Sequence, residues 1–225
     1  MNDLLPCVEV EPPAPVHASV IWMHGLGADG HDFEPVVPVL RTQGVRYVFP
    51  HAPSMPVTIN GGWVMPAWYD ILSLEHVEHR ENESHIRASA RCIEALVQRE
   101  HQRGVPAERI VLAGFSQGAA MALHVGLRYE QPLAGILALS GYLVLGSRLA
   151  DERSQANRET PLFLGHGTLD PIVPLTLGER TRDVLRESSP SSPLTWHTFR
   201  MEHSVCPEEL ELVGAWLRER LGPVG

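Results

Sequence analysis

The chain has 225 residues, of which 44% are hydrophobic and 20% are charged. This composition excludes a disordered chain, and the length suits one α/β domain spanning residues 1–225. The formal net charge of -9 comes from scattered acidic residues and argues against nucleic acid as a partner.

The cysteines and the amino terminus bear on the location of the protein. Cys7, Cys92 and Cys206 have neither the spacing of a metal or redox site nor an even count, so we expect free thiols. Residues 1–6 show no basic patch before an apolar run, and no apolar run approaches the roughly 18 residues of a membrane helix. The sequence therefore predicts a cytoplasmic protein without stable membrane insertion.

Short apolar runs alternate along the chain with segments of helical periodicity. The predicted strands are residues 18–24, 45–49, 110–113, 135–139, 162–165 and 194–199. The predicted helices are residues 33–42, 82–103, 117–128, 175–187 and 207–221, with Gly104 as a C-terminal cap. Residues 51–80 carry several prolines and no period, which predicts a long loop that lines a pocket. This alternation is typical of an α/β fold with a mostly parallel sheet covered on both faces.

A turn from Gly114 to Gly118 has the pattern Gly-x-Ser-x-Gly and stands between a predicted strand and a predicted helix. In this setting the pattern holds the serine in a sharp turn at the carboxyl end of the sheet. Ser116 is therefore predicted to be a nucleophile. The alternative is that Ser116 only caps the following helix, a position that serine favours in any helix.

A nucleophilic serine needs a base and an acid that orients it. In serine hydrolases built on an α/β sheet these follow in the order Ser, Asp or Glu, then His. Asp170 follows the strand at 162–165, and His203 follows the strand at 194–199. Taken alone, Asp170 could be an ordinary turn aspartate and His203 an ordinary surface histidine. Because both follow strands in the required order, they favour a catalytic triad.

An oxyanion formed during acyl transfer needs backbone N–H donors. The N–H of Gln117 is the first candidate, and the N–H of Leu26, in the glycine-rich turn at 25–30, is the second. That turn also satisfies Gly-x-Gly-x-x-Gly, the fingerprint of a dinucleotide site. The strand at 45–49 disfavours a nucleotide, because it ends in Pro50 and His51 where the fingerprint needs an acidic residue.

Twelve histidines raise the question of a metal site. His76 and His79 are three residues apart, beside Glu75 and Glu78. A third ligand with recognisable spacing does not follow, and charged runs of this kind usually form solvated faces. The sequence therefore predicts no metal.

Five motifs in one order carry a family resemblance. They are WMHGLGADG at 22–30, AWYDI at 67–71, GFSQGAA at 114–120, HGTLD at 166–170 and HSVCPEE at 203–209. Together they resemble the phospholipase/carboxylesterase family of α/β-hydrolases, which includes bacterial carboxylesterases and acyl-protein thioesterases. The resemblance implies an α/β-hydrolase fold, a triad of Ser116, Asp170 and His203, and oxyanion donors at Leu26 and Gln117.

The resemblance also implies where substrate binds. In the family the loop around Trp68 lines the acyl pocket, so Met65 and Trp68 are expected to contact substrate, with Ile172 and Val173 close behind. Glu202 departs from the Gly or Pro expected before the histidine. We hypothesise that a carboxylate there shifts the pKa of the histidine or deters anionic substrates.

The expected activity is that of a serine carboxylesterase. It would hydrolyse short- to medium-chain carboxylic esters, as small-molecule ester or acyl substrates, through an acyl-enzyme intermediate and without a cofactor. A lysophospholipase and an acyl-protein thioesterase are the alternatives, and a non-catalytic binding module on the same fold is a remote one. The sequence leaves open the preferred acyl chain length, the preference for esters or thioesters, and the oligomeric state. Relatives in the family are often homodimers.

Overall fold

The computed structural model describes residues 4–73, 81–188 and 190–223. The strands within these ranges are β1 (Cys7–Val10), β2 (Ala18–Met23), β3 (Val45–Pro50), β4 (Ser54–Val57), β5 (Trp63–Pro66), β6 (Ile110–Phe115), β7 (Gly135–Leu139), β8 (Leu162–Gly167) and β9 (Leu194–Phe199). The α-helices are α1 (Val37–Leu40), α2 (Glu83–Gln102), α3 (Gln117–Gly126), α4 (Leu149–Glu152), α5 (Leu175–Ser188) and α6 (Pro207–Leu221).

Seven strands form one sheet in the order β1-β3-β2-β6-β7-β8-β9. The edge strand β1 runs antiparallel to β3, and every other neighbouring pair is parallel. The carboxyl ends of β2, β6, β8 and β9 therefore lie along the same edge of the sheet. Ligands of open α/β sheets bind outside this edge.

Helices cover both faces of the sheet, as the alternating pattern predicts. On one face the sheet packs on α2, α3 and α5 through residues such as Ile93, Leu123 and Leu185. On the other face α1 and α6 pack through Leu40 and Leu217. Every residue of α3 is buried, which explains why this helix is apolar on most sides.

Most predicted elements appear with small shifts of their ends. The sequence predicts β7, β9 and α6 with their observed bounds, whereas β6 and β8 each extend two residues further and α3 ends two residues earlier. The helix predicted at 82–103 is α2, where the Asn82 side chain accepts a hydrogen bond from the N–H of His85. Gly104 follows with a φ of +93°, as a C-terminal cap requires.

Two features near the amino terminus differ from what the sequence predicts. The helix predicted at 33–42 is a 3-10 turn at Glu34–Val36 followed by the single turn α1. Arg41 ends it in the left-handed conformation, with a φ of 53°. Prolines in both short segments lack an N–H group and weaken a continuous helix. The edge strand β1 has no counterpart among the predicted strands, and its residues are mostly half-buried and pair only with β3.

The loop predicted at 51–80 contains a hairpin. Strands β4 and β5 pair antiparallel from Ser54 with Pro66 to Val57 with Trp63. Each strand of a two-stranded sheet has a free edge, so prolines are tolerated in it. Residues 74–80, including His76 and His79, lie outside the described residues. In the parts that are described, no helix combines the length and apolarity needed to cross a bilayer.

Candidate active site

The turn after β6 holds Ser116 in a conformation that non-glycine residues rarely adopt. Ser116 immediately precedes α3, and its φ is 55° and its ψ is -120°. The turn brings backbone segments very close together, since a Cβ atom on Gly118 would overlap the carbonyl oxygen of Met23 and one on Gly114 would overlap that of Gly118. The glycines of the motif are therefore needed for the turn, and the strained serine is consistent with a functional site.

A chain of two hydrogen bonds joins the three predicted triad residues. His203 Nδ1 donates to Asp170 Oδ2 at 2.7 Å, so that Nε2 is free to accept from the Ser116 hydroxyl at 2.8 Å. Asp170 Oδ1 accepts from the N–H groups of Ile172 at 2.9 Å and Val173 at 2.8 Å. These bonds orient the buried carboxylate toward the imidazole.

Neighbouring rings fix the loops that carry His203 and Asp170. The Phe115 ring lies 4.8 Å from the His203 ring, centroid to centroid. The buried His166 donates from Nε2 to the carbonyl of Val173 at 2.8 Å. Burial lowers the pKa of His166, which keeps that imidazole neutral near pH 7. His166 therefore acts as a structural support behind Asp170.

The two predicted oxyanion donors lie in the wall of the same cavity as Ser116. Gln117 is the first residue of α3, and Leu26 belongs to the turn that follows β2. Within residues 4–73, 81–188 and 190–223, neither N–H donates to a protein acceptor. Both free N–H groups are available to an oxyanion, and that of Gln117 also lies at a helix start, where negative charge is attracted.

The turn that carries Leu26 is held by a buried histidine. His24 donates from Nδ1 to the carbonyl of Gly25 at 2.8 Å, and its Nε2 accepts from the N–H of Ala52 at 3.0 Å. Burial lowers the pKa of His24, which favours this neutral tautomer. The carbonyl of His24 accepts from the indole N–H of Trp68 at 2.9 Å. The turn is thus fixed from both sides before substrate arrives.

The triad opens into a cavity of about 270 Å³ with mostly apolar walls. The lining residues are Gly25, Leu26, Ala28, Asp32, Ile59, Tyr69, Ile71, Phe115, Ser116, Gln117, Tyr142, Ile172, Val173, Leu177 and His203. Three of them, Ile59, Tyr142 and Leu177, were not predicted, because they come from separate segments without a shared motif. Tyr69 and Ile71 belong to the AWYDI motif, so their role had a sequence signal.

The structure places two of the four expected substrate contacts outside the cavity lining. Trp68 is fully buried, with its indole bonded to the backbone of His24, and it does not line the cavity. Its large ring instead supports the oxyanion turn from below. Met65 is half-buried in β5 and also lies outside the lining, whereas Ile172 and Val173 form part of the wall.

Three other expectations concern residues outside the cavity lining. The Glu202 side chain is exposed and lies outside the lining, with its carbonyl accepting from the N–H of Ser204 at 2.9 Å. In the glycine-rich turn, the N–H of Gly30 donates to Nδ1 of His51 at 3.1 Å, where a dinucleotide site would need an acid. The three cysteines are free thiols, as expected.

Comparisons with known proteins identify the family of the chain. The model of the phospholipase/carboxylesterase family matches residues 5–221. Acyl-protein thioesterase 1 of Neurospora crassa is 42% identical over 217 residues, which cover 92% of this chain and 88% of the relative. The crystal structure of Zea mays acyl-protein thioesterase 2 is 28% identical with a TM-score of 0.86, covering 96% of this chain and 99% of the other.

A second solved structure, that of Arabidopsis thaliana SOBER1, is 29% identical with a TM-score of 0.84 and covers 91% of this chain and 99% of its own. The family model covers nearly the whole sequence, and the fold is that of the α/β-hydrolases. The chain therefore belongs to the phospholipase/carboxylesterase family and is a hydrolase of carboxylic ester or thioester bonds.

Proposed function

We propose that the protein hydrolyses short- to medium-chain acyl esters through an acyl-enzyme formed on Ser116. The observation that carries this proposal is the hydrogen-bond chain from Ser116 through His203 to Asp170 at the floor of an apolar cavity. An enclosed apolar wall beside a polar reacting centre suits an acyl chain with an ester carbonyl at its end.

The reaction would proceed in two steps. His203 takes the Ser116 proton while the hydroxyl oxygen bonds to the carbonyl carbon, and the N–H groups of Leu26 and Gln117 stabilise the oxyanion. The protonated His203 then donates to the leaving group as its bond breaks. Water, deprotonated by His203, releases the acyl group and restores Ser116. Asp170 holds the imidazole tautomer throughout.

The size of the cavity supports a short to medium acyl chain. Its volume is about 270 Å³, whereas ligand pockets commonly measure roughly 300–1,000 Å³. The exposed Ile172, at 64% of its maximal accessible surface, lies at the rim and would contact an acyl chain as it enters. A cytoplasmic location is part of the proposal and is supported by the three free thiols.

An acyl-protein thioesterase is the second candidate. Relatives such as the one from Neurospora crassa carry that name. The same residues would act, because a thioester differs from an ester only in its leaving atom. The lysophospholipase alternative uses this chemistry as well and differs in the leaving group.

Turnover on p-nitrophenyl esters from acetate to palmitate, with a palmitoyl thioester alongside, tests the proposal. We expect kcat/KM to peak at short to medium chains, and labelling by a fluorophosphonate probe that Ser116→Ala abolishes. A clear preference for the palmitoyl thioester would favour the thioesterase instead. Full activity of the Ser116→Ala variant would exclude this mechanism.

A further inference from the structure

One charged side chain in the cavity has no part in the mechanism above. Among the described lining residues Asp32 has the only carboxylate, and neither lysine nor arginine is present. The carboxylate neither accepts a hydrogen bond from a described residue nor forms an ion pair with one. Asp32 is exposed to solvent at the cavity, and partial desolvation of its carboxylate by the surrounding protein raises its pKa.

The position of Asp32 follows from a row of aromatic rings. Asp32 directly precedes Phe33, whose ring lies 5.6 Å from that of Phe115. The Phe115 ring in turn lies 4.8 Å from His203. Asp32 is therefore next in the chain to a row of rings that reaches His203, and its carboxylate is close enough to His24, which holds the oxyanion turn, to interact with it electrostatically.

The apolar end of the cavity lies on the other side. Ile71 and Tyr142 pack against the core between the sheet and α2, α3 and α5. Phe33 and Phe115 pack instead with the core between the sheet and α6. Ser116 stands between the two ends, so an acyl chain at Ile71 and Tyr142 directs the leaving group toward His203 and Asp32.

We propose that Asp32 makes the enzyme prefer esters and thioesters whose leaving group carries a positive charge. This inference rests on the proposed function, because it assumes that His203 protonates the leaving group. A cation on that group would find a carboxylate without a competing partner, at the end of the cavity where the departing alcohol or thiol lies. An anionic leaving group would be repelled.

Long-range electrostatics act in the same direction. The protein has a formal net charge of -9, and the exposed Glu202 stands next to His203 along the chain. A negative field around a cleft raises the local concentration of cationic ligands. The local contribution of Asp32 should dominate at physiological salt, because screening removes most of the effect of distant surface charges.

A pair of esters of equal shape separates charge from size. Butyrylcholine carries a quaternary ammonium, and 3,3-dimethylbutyl butyrate has carbon in place of that nitrogen. We expect Asp32→Asn to lower the ratio of kcat/KM for the cationic ester to that for the neutral one by about fivefold to tenfold. The kcat/KM for the neutral ester should change by a smaller factor than that for the cationic ester, because Asp32 attracts only the charged leaving group.

A matched control removes the same charge elsewhere. Asp151 is exposed at the first turn of α4 and lies outside the cavity lining. Asp151→Asn should leave the ratio unchanged. In 0.5 M salt the preference of the wild-type enzyme should weaken, as expected for attraction between charges.

Two results would overturn the inference. The ratio could be the same in Asp32→Asn as in the wild type, or it could fall equally in Asp151→Asn. An unchanged ratio in which both esters lose the same factor would mean that Asp32 supports the loop without selecting charge. Lack of wild-type activity on both esters would have a different meaning, since it would contradict the proposed function and this inference with it.

Discussion

The side-chain amide of Gln117 holds the backbone at Trp68. Its Oε1 accepts from the N–H of Trp68 at 2.7 Å, and its Nε2 donates to the carbonyl of Tyr69 at 2.7 Å. The residue whose own N–H is a candidate oxyanion donor thereby also fixes the segment that supports the oxyanion turn and forms the cavity wall. A single side chain links the nucleophile turn to the pocket.

Gln117→Ala should reduce both stability and activity. The change leaves two buried backbone groups without partners, so we expect a loss of about 2–4 kcal/mol in the free energy of unfolding. The KM for a medium-chain ester should rise, because Tyr69 lines the cavity. Urea unfolding and steady-state kinetics measure both effects. Gln98→Ala, at an exposed position of α2, should change neither, and an equal loss in that variant would contradict the assignment.

Asp170→Asn tests the role of the carboxylate in holding the tautomer. The amide would donate to His203 Nδ1, which would place the imidazole proton on Nε2, facing Ser116. We expect kcat to fall by about 10⁴-fold at pH 7 while the fold is kept. Circular dichroism and turnover of a p-nitrophenyl ester give the measurement. A decrease of less than tenfold would show that Asp170 does not orient the base.

Gly118→Ala should prevent the nucleophile turn from forming. The added Cβ would overlap the carbonyl oxygen of Met23 and lie 2.6 Å from that of His24. Backbone atoms cannot move aside as a side chain can, so we expect a loss of about 3 kcal/mol or more. Gly146→Ala is the control, since its nearest neighbour is the end of the Leu143 side chain at 3.3 Å. Comparable melting temperatures for the two variants would count against the close packing of this turn.

Glu209 should make stability depend on pH. The residue is fully buried in the first turn of α6, against Gly165, and neither carboxylate oxygen has a hydrogen-bond partner among the described residues. Burial raises the pKa of Glu209 from 4.5 to about 8. The folded protein therefore keeps a proton that the unfolded chain has lost, and its stability falls as pH rises through this range, by about 1.4 kcal/mol per pH unit.

Glu209→Gln removes this contribution without changing the shape of the side chain. Urea unfolding at pH 5.5 and pH 8.5 should show the variant gaining stability relative to the wild type as pH rises. The adjacent Glu208 is exposed, so Glu208→Gln should follow the wild type at both values. A constant difference between Glu209→Gln and the wild type would show that Glu209 does not titrate in this window.

The sequence predicted the main sheet well because its inner strands are continuous apolar runs between turn residues. β7 and β9 appear with the predicted bounds. The β4–β5 hairpin was not predicted, because its prolines suggest a loop. β1 was not predicted either, since its pairing with β3 bridges a long separation along the chain. Local sequence patterns do not predict which distant strands pair with each other.

The candidate site also has a part that the sequence predicts and a part that it does not. Ser116, Asp170 and His203 each follow a strand in the order that the chemistry requires, so their identity could be read from the chain. The apolar wall could not be read so directly, because residues such as Tyr142 and Leu177 become neighbours only when the segments after β7 and β8 meet.

By itself the sequence determined the alternation of strands and helices, the family, and the order of the three residues at the strand ends. Tertiary structure alone decided that Trp68 is buried beneath the oxyanion turn and that Asp32 faces the cavity without a partner. The reason is physical: strand and turn preferences act between near neighbours in the chain, whereas burial and the position of a charge depend on which distant segments pack together.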